Sequence, residues 1–131
     1  MQDKAALVSY RFAQAERTLR QAELLAENGF WDGVINRSYY AMFYAALALL
    51  LTKDMGSSKH AGVLALVDRE FVRSGILPAE LSKLLRDAFN QRQKSDYIEL
   101  ISPDEERARE ILKNGRRFLD GVKAALKRFS F

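Results

Sequence analysis

Apolar side chains return every three to four residues along most of the chain, the spacing of amphipathic helices. From about Asp3 to Asn28, Val8, Phe12, Ala15, Leu19, Ala22 and Leu25 share one stripe, while Arg11, Glu16, Arg17, Arg20 and Glu23 fall on other faces. Asn28-Gly29 predicts the end of this helix, because glycine enters the left-handed conformation of a helix C-terminus at little cost. A second helix is expected over about Trp31 to Lys53, with Val34, Ile35, Tyr39, Met42, Phe43, Ala46, Leu49 and Leu50 apolar. Its apolar face widens toward Leu51, so it must be covered on several sides and becomes the central helix of a bundle.

Asp54-Met55-Gly56-Ser57-Ser58 is a turn cluster in which Ser57 or Ser58 caps a third helix over about Lys59 to Ser74, with Val63, Leu66, Val67 and Phe71 inward and Gly75 closing it. Pro78 suits the first turn of a fourth helix, where its missing N–H has no intrahelical partner, and Leu81, Leu84, Leu85, Ala88 and Phe89 form the stripe. Around Ser95 to Ile101 the period fails, which predicts a short connection. Ser102-Pro103-Asp104-Glu105 predicts the restart: serine at the N-cap, proline at the first helical position, and Glu105 reaching back as a capping box. Ala108, Ile111, Leu112, Gly115, Phe118, Leu119, Val122, Ala125, Leu126 and Phe129 mark a long last helix. No stretch alternates with a two-residue period. The expected fold is all-α, an up-and-down antiparallel four-helix bundle with one additional short helix, forming a single domain over residues 1–131 with its core between helices one, two, four and five.

Composition narrows the chemistry. With no cysteine and one histidine, a disulfide framework, a cysteine-based zinc site, a thiol nucleophile and a histidine-rich metal site are excluded. No phosphate loop, His-Glu-x-x-His helix or di-iron Glu-x-x-His pair occurs, so no cofactor and no metal are expected. The apolar run Ala41 to Leu51 is shorter than the roughly 18 to 20 residues that span a bilayer, and the first residues lack a secretory pattern. No membrane association is expected, and the cytoplasm is the expected compartment. A net charge of +4 suits an anionic partner such as nucleic acid, a nucleotide or an acidic protein.

Several polar residues sit where a purely structural bundle has no need of them. Arg37 lies in the most apolar helix, so it should either meet a carboxylate or line a polar cleft. Tyr39, Tyr40 and Tyr44 suit the core, an interface or a groove. His60 begins a helix, where the positive end of the dipole favours its neutral form; a surface or capping histidine is the plainer reading, and Lys59 beside it can help bind an anion. Arg92 precedes Asp96 by one helical turn, so the two can pair locally, or Asp96 and Tyr97 can turn inward to meet Arg37. The last helix carries Arg107, Arg109, Lys113, Arg116, Arg117, Lys123, Lys127 and Arg128, readable as a solvated face or as a nucleic-acid contact.

Together, Ala22-Glu23-x-Leu25-x-x-x-Gly29, Ile35-Asn36-Arg37-Ser38-Tyr39-Tyr40-Ala41-Met42-Phe43, Ser58-Lys59-His60-x-Gly62 and Arg92-x-x-x-Asp96-Tyr97 resemble the HEPN (higher eukaryotes and prokaryotes nucleotide-binding) superfamily, in particular its small stand-alone prokaryotic members. The resemblance implies a helical bundle that forms a homodimer, partnered by a minimal nucleotidyltransferase in a toxin–antitoxin-like module. It also implies a nucleotide- or RNA-binding cleft, for which Arg37, Tyr40, Lys59, His60, Arg92, Asp96 and Tyr97 are the candidates. Many HEPN domains are metal-independent ribonucleases whose motif is an arginine, four to six residues, then a histidine. Here the positions that follow Arg92 at that spacing are Tyr97, Ile98 and Glu99. A tyrosine, with a pKa of about 10, is a poor acid–base replacement at neutral pH. The expectation is therefore a binding module, with catalytic residues unassigned and Tyr97 a candidate for modification with AMP by the partner; the alternatives are an RNA-cleaving toxin with a divergent site and a purely structural dimer.

Overall fold

The computed structural model describes residues 3–97 and 104–129, and side chains at all of these except 94–97. Among them there are five α-helices and no strand: α1 (Lys4–Glu27), α2 (Trp31–Leu51), α3 (His60–Val67), α4 (Ala79–Tyr97) and α5 (Glu105–Lys127), with a π-helical turn, Asp68–Val72, continuing α3. The all-α bundle expected from the hydrophobic period is present. α2 packs against each of the other four helices, α5 against α1, α2 and α4, and α1 does not meet α4. The core runs through all of them, from Leu19 and Met42 to Phe71, Leu85 and Phe118. The third helix therefore contributes buried side chains as well, through Val63, Leu64 and Val67.

Local chemistry sets the helix ends. Asp3 caps α1 by accepting from the Ala5 N–H at 3.0 Å. At the other end Gly29 has φ +75°, its N–H donates to the Ala26 carbonyl, and the Phe30 N–H donates to the Leu25 carbonyl. These two bonds satisfy carbonyls that the helix leaves open. The same pattern closes α2, with Asp54 at φ +56° in the left-handed position and the Met55 N–H donating to the Leu50 carbonyl. The Asp54 carboxylate also meets Lys4 Nζ at 3.0 Å, tying the end of α2 to the start of α1.

Three boundaries differ from expectation. α5 starts two residues later than expected: Asp104 is the N-cap, its carboxylate accepting from the Glu106 N–H at 3.0 Å. Glu105 pairs with Arg109 at 3.0 Å, and the expected capping box to Ser102 lies outside the described residues. α3 has Lys59 as its N-cap with no side-chain cap; Ser57 Oγ accepts from the Lys59 N–H at 3.2 Å, just before the helix. α4 continues to Tyr97, through half of the segment expected to be a connection.

By length and composition α2 could cross a membrane, but most of that stretch is buried against the other helices. Its apolar character is that of a central core helix. Close helix approaches depend on small residues: a Cβ on Gly115 would come within 3.0 Å of Leu19 Cδ1, and one on Gly121 would overlap Leu81 Cδ1. Those glycines let α5 settle against α1 and α4.

Candidate functional site

Helical spacing on α2 puts Arg37, Tyr40 and Tyr44 along one line and Tyr39 and Phe43 along the next. α4 brings Phe89 and Arg92, one turn apart, to the same place, and the first residue of α3 is His60. The result is a cluster from three helices. Tyr39 is fully buried, with its ring 5.8 Å from Phe89 and 5.9 Å from Phe43 between centroids. His60 stacks on Phe43 at 4.3 Å, and its Nδ1 lies 2.8 Å from the Tyr39 hydroxyl.

Two guanidinium groups converge on Tyr40. Arg92 lies 5.1 Å from its ring centroid and Arg37 lies 5.5 Å from it. Arg92 is also 5.8 Å from the Tyr39 ring. Each arginine thus gains the attraction of a cation for a ring face, on the order of 0.5–2 kcal/mol. Arg37 Nε donates to Asn36 Oδ1 at 3.0 Å, and among the described residues it has no carboxylate within ion-pair reach. Of the two alternatives for Arg37, no structural acid stands beside it among the described residues, and a polar, aromatic surrounding does.

The electrostatics follow from burial and from Arg92. Burial pushes the Tyr39 phenol well above its usual range, Arg92 offsets part of that, and Tyr40 adds to it. His60 is held below the ordinary histidine range, first by burial and then by the Arg92 charge. A neutral imidazole was expected from the helix terminus; its causes are instead the rings packed on it and the neighbouring guanidinium. The plainer expectation of a surface or capping histidine is corrected: His60 is half-buried in an aromatic box.

The position of His60 has a local origin. The turn before α3 folds Ser57 back onto Gly62, where an added Cβ would lie 2.3 Å from Ser57 Oγ. Gly62 is thus the residue that lets the Ser57 turn close over the first turn of α3.

Of the predicted site residues, Arg37, Tyr40, His60 and Arg92 are brought together. Lys59, immediately before His60, is the exposed N-cap of α3. The side chains of Asp96 and Tyr97 lie outside the described residues; the backbone places both on the last turn of α4, after Arg92. Tyr39, Phe43 and Phe89 belong to the cluster and were not predicted as site residues. The signal available for Phe89 was its place three residues before Arg92, on the same helical face.

Four basic residues of the last helix, Arg107, Arg109, Arg116 and Arg117, are paired with carboxylates. Arg116 makes a forked pair with Glu16 at 2.9 and 2.7 Å and a bond to Asp120 at 3.2 Å. Arg117 pairs with Glu80, and Arg107 pairs with Glu110 at 3.0 Å. A groove of about 240 Å³ lies between α1 and α5, lined by Val8, Phe12, Ala13 and Leu126 with Lys123 and Lys127. Among the described residues no group of acidic, histidine or cysteine side chains could hold a metal ion.

An all-α bundle with an arginine–tyrosine–histidine cluster across its second, third and fourth helices is the class these features define. The HEPN domain model matches residues 8–125, and the chain belongs to the HEPN domain family. It is 38% identical over 122 residues to a Thermotoga maritima protein named UPF0332 protein, covering 93% of this chain and 92% of that one. It is 39% identical over 113 residues to a Methanocaldococcus jannaschii protein named "Putative toxin MJ0142", covering 86% of this chain and 77% of the relative. A second protein of that organism, named "Putative toxin MJ0605", is 38% identical over 113 residues, 86% of this chain and 84% of its own.

Proposed function

We propose that this chain is the HEPN member of a toxin-associated module, that it binds a nucleotide or an RNA phosphate at the cluster of Arg37, Tyr40, His60 and Arg92, and that it works as a homodimer with a minimal nucleotidyltransferase as partner. The observation that carries the binding reading is the convergence of two guanidinium groups, from α2 and α4, on the one ring of Tyr40. Guanidinium forks match phosphoryl oxygens, and a tyrosine face offers a stacking platform for a base. Lys59 adds positive charge beside His60. Asp96 and Tyr97, following Arg92, are the proposed rim, with Tyr97 the candidate for modification by the partner.

Binding is tested by fluorescence anisotropy with labelled single-stranded RNA and by calorimetry with 5′-AMP. Arg37→Ala should weaken binding by about tenfold, the equivalent of one charge-assisted hydrogen bond; unchanged affinity would sink the assignment. Co-expression with a nucleotidyltransferase encoded beside this gene should yield a co-purifying complex, and separation of the two proteins counts against the partnership.

A second reading, metal-independent cleavage of RNA, is favoured by one observation: His60, distant from Arg92 in sequence, lies beside it in the fold, where the Arg92 charge acts on the imidazole. Incubation of wild type and Arg92→Ala with structured and single-stranded RNA in chelator decides it. Cleavage by wild type alone supports a divergent ribonuclease, and intact RNA with both removes that reading.

A further inference from the structure

The contact between Tyr39 and His60 fixes more than a position. The Tyr39 hydroxyl belongs to a fully buried side chain, and its one hydrogen-bond partner among the described residues is His60 Nδ1, at 2.8 Å. A phenol O–H out of reach of water needs an acceptor. Were Nδ1 to carry a proton and donate to the phenol oxygen, the buried O–H would have no acceptor among the described residues. The hydroxyl therefore donates and Nδ1 accepts, which in the neutral imidazole leaves the proton on Nε2.

Every described charged or titratable group around this ring favours that neutral state. α2 faces it with Tyr39 and Tyr40, α4 with Arg92, and Lys59 precedes it in the chain; no carboxylate among the described residues stands against it. Nε2 has no protein partner among the described residues and is absent from the enclosed, unpaired atoms, so it retains access to solvent or to a ligand.

We infer that Tyr39 holds His60 as the Nε2–H tautomer, so that His60 serves the site as a hydrogen-bond donor to a phosphoryl oxygen, beside the Arg37 and Arg92 guanidiniums, and not as a proton acceptor. The tautomer stands on geometry alone; the phosphoryl group rests on the binding role proposed above. Tyr39 is then a positioning residue that acts through His60. An Nε2–H beside the Arg37 guanidinium selects a phosphate anion over a neutral nucleoside and leaves no free imidazole nitrogen to take a proton from a 2′-hydroxyl.

Because His60 is the only histidine, one long-range proton–nitrogen correlation spectrum of uniformly nitrogen-15-labelled protein at pH 7.5 reads its tautomer without assignment of other residues. The expected pattern is an unprotonated, hydrogen-bonded Nδ1 and a protonated Nε2. A protonated Nδ1 overturns the inference, in wild type and without any variant. Tyr39→Phe should return the ring to a mixture of tautomers and raise its titration toward the ordinary range, and an unchanged spectrum in that variant also overturns it. Inorganic phosphate and then 5′-AMP are added to the wild type: movement of the Nε2–H signal supports the donor role. Signals that move elsewhere in the protein while Nε2–H stays still would leave ligand binding standing and overturn the role of His60 in it. His60→Gln, whose amide still donates, should keep 5′-AMP affinity within about threefold, whereas His60→Leu should lose about tenfold; equal affinity for the two overturns the donor role.

Discussion

The arginines of α5 and Arg37 of the α2–α4 cluster have opposite surroundings. Arg107, Arg109, Arg116 and Arg117 each meet a carboxylate at the surface. Arg37 instead lies on the Tyr40 ring, which Arg92 and His60 also approach, and among the described residues it meets no carboxylate. On α5 these four charges are balanced where they stand. At Arg37 the cation sits on a quadrupole, which attracts it without neutralising it. The lesson is that the number of basic residues on a helix is a poor guide to where an anion binds; what each cation already touches is a better one.

The comparison breaks most severely at the base of the cluster. Tyr39→Ala empties a fully buried aromatic position and should cost about 3–5 kcal/mol of unfolding free energy in denaturant titration, the range for large aromatic-to-alanine changes; a loss under about 1 kcal/mol would mean that the cluster is not packed as described. Ser38, next in the chain, goes the other way. Its hydroxyl is buried with no hydrogen-bond partner among the described residues, so Ser38→Ala should stabilise the protein by about 1 kcal/mol in the same measurement, by removing a desolvated polar group. Tyr39→Phe keeps the ring and removes one hydrogen bond, and a loss of about 0.5–1.5 kcal/mol is expected.

On the α5 side the effects are smaller. Arg117→Ala breaks a half-exposed pair with Glu80, and after allowance for solvent screening the cost should be about 0.2–1 kcal/mol and shrink further in high salt. The same salt should change the stability of Ser38→Ala relative to wild type very little. Last, pH separates the two regions. His60 is protonated less readily in the fold than its ordinary value of 6.5, so between that value and its lowered folded value the unfolded chain binds more protons. The contribution is full above pH 6.5 and is lost as the pH falls through this window. The difference in stability between wild type and His60→Gln should therefore narrow as the pH falls, as read by denaturant midpoints at pH 7.5 and pH 5.5.

Much of this architecture was legible in the sequence because helices advertise themselves twice, by apolar period and by end signals. Gly29 closes α1 where its left-handed freedom predicted it would. Ser102-Pro103-Asp104 misled because serine and aspartate are both good N-caps and stand two residues apart. The π-helical turn at Asp68–Val72 was not legible, because apolar spacing does not separate one wide turn from an α-helical one; within α3, Leu64 is buried and Leu66 only partly so. At the site, Arg37, Tyr40 and Arg92 were legible because arginine and tyrosine in an apolar stripe stand out by type. The partnership of Tyr39 with His60 was not, since it depends on how the Ser57 turn returns α3 to α2, and no local spacing encodes that return.

The central position of α2 also has a consequence in time. α1 can cover it as soon as both have been made, closed by the Gly29 turn at one end and the Lys4–Asp54 pair at the other. Its remaining faces wait for α3, α4 and α5, which the ribosome produces after it. Until residue 127 has emerged, the most apolar helix of the chain is only half sheltered, and the nascent protein displays the very surface that its finished form keeps out of sight.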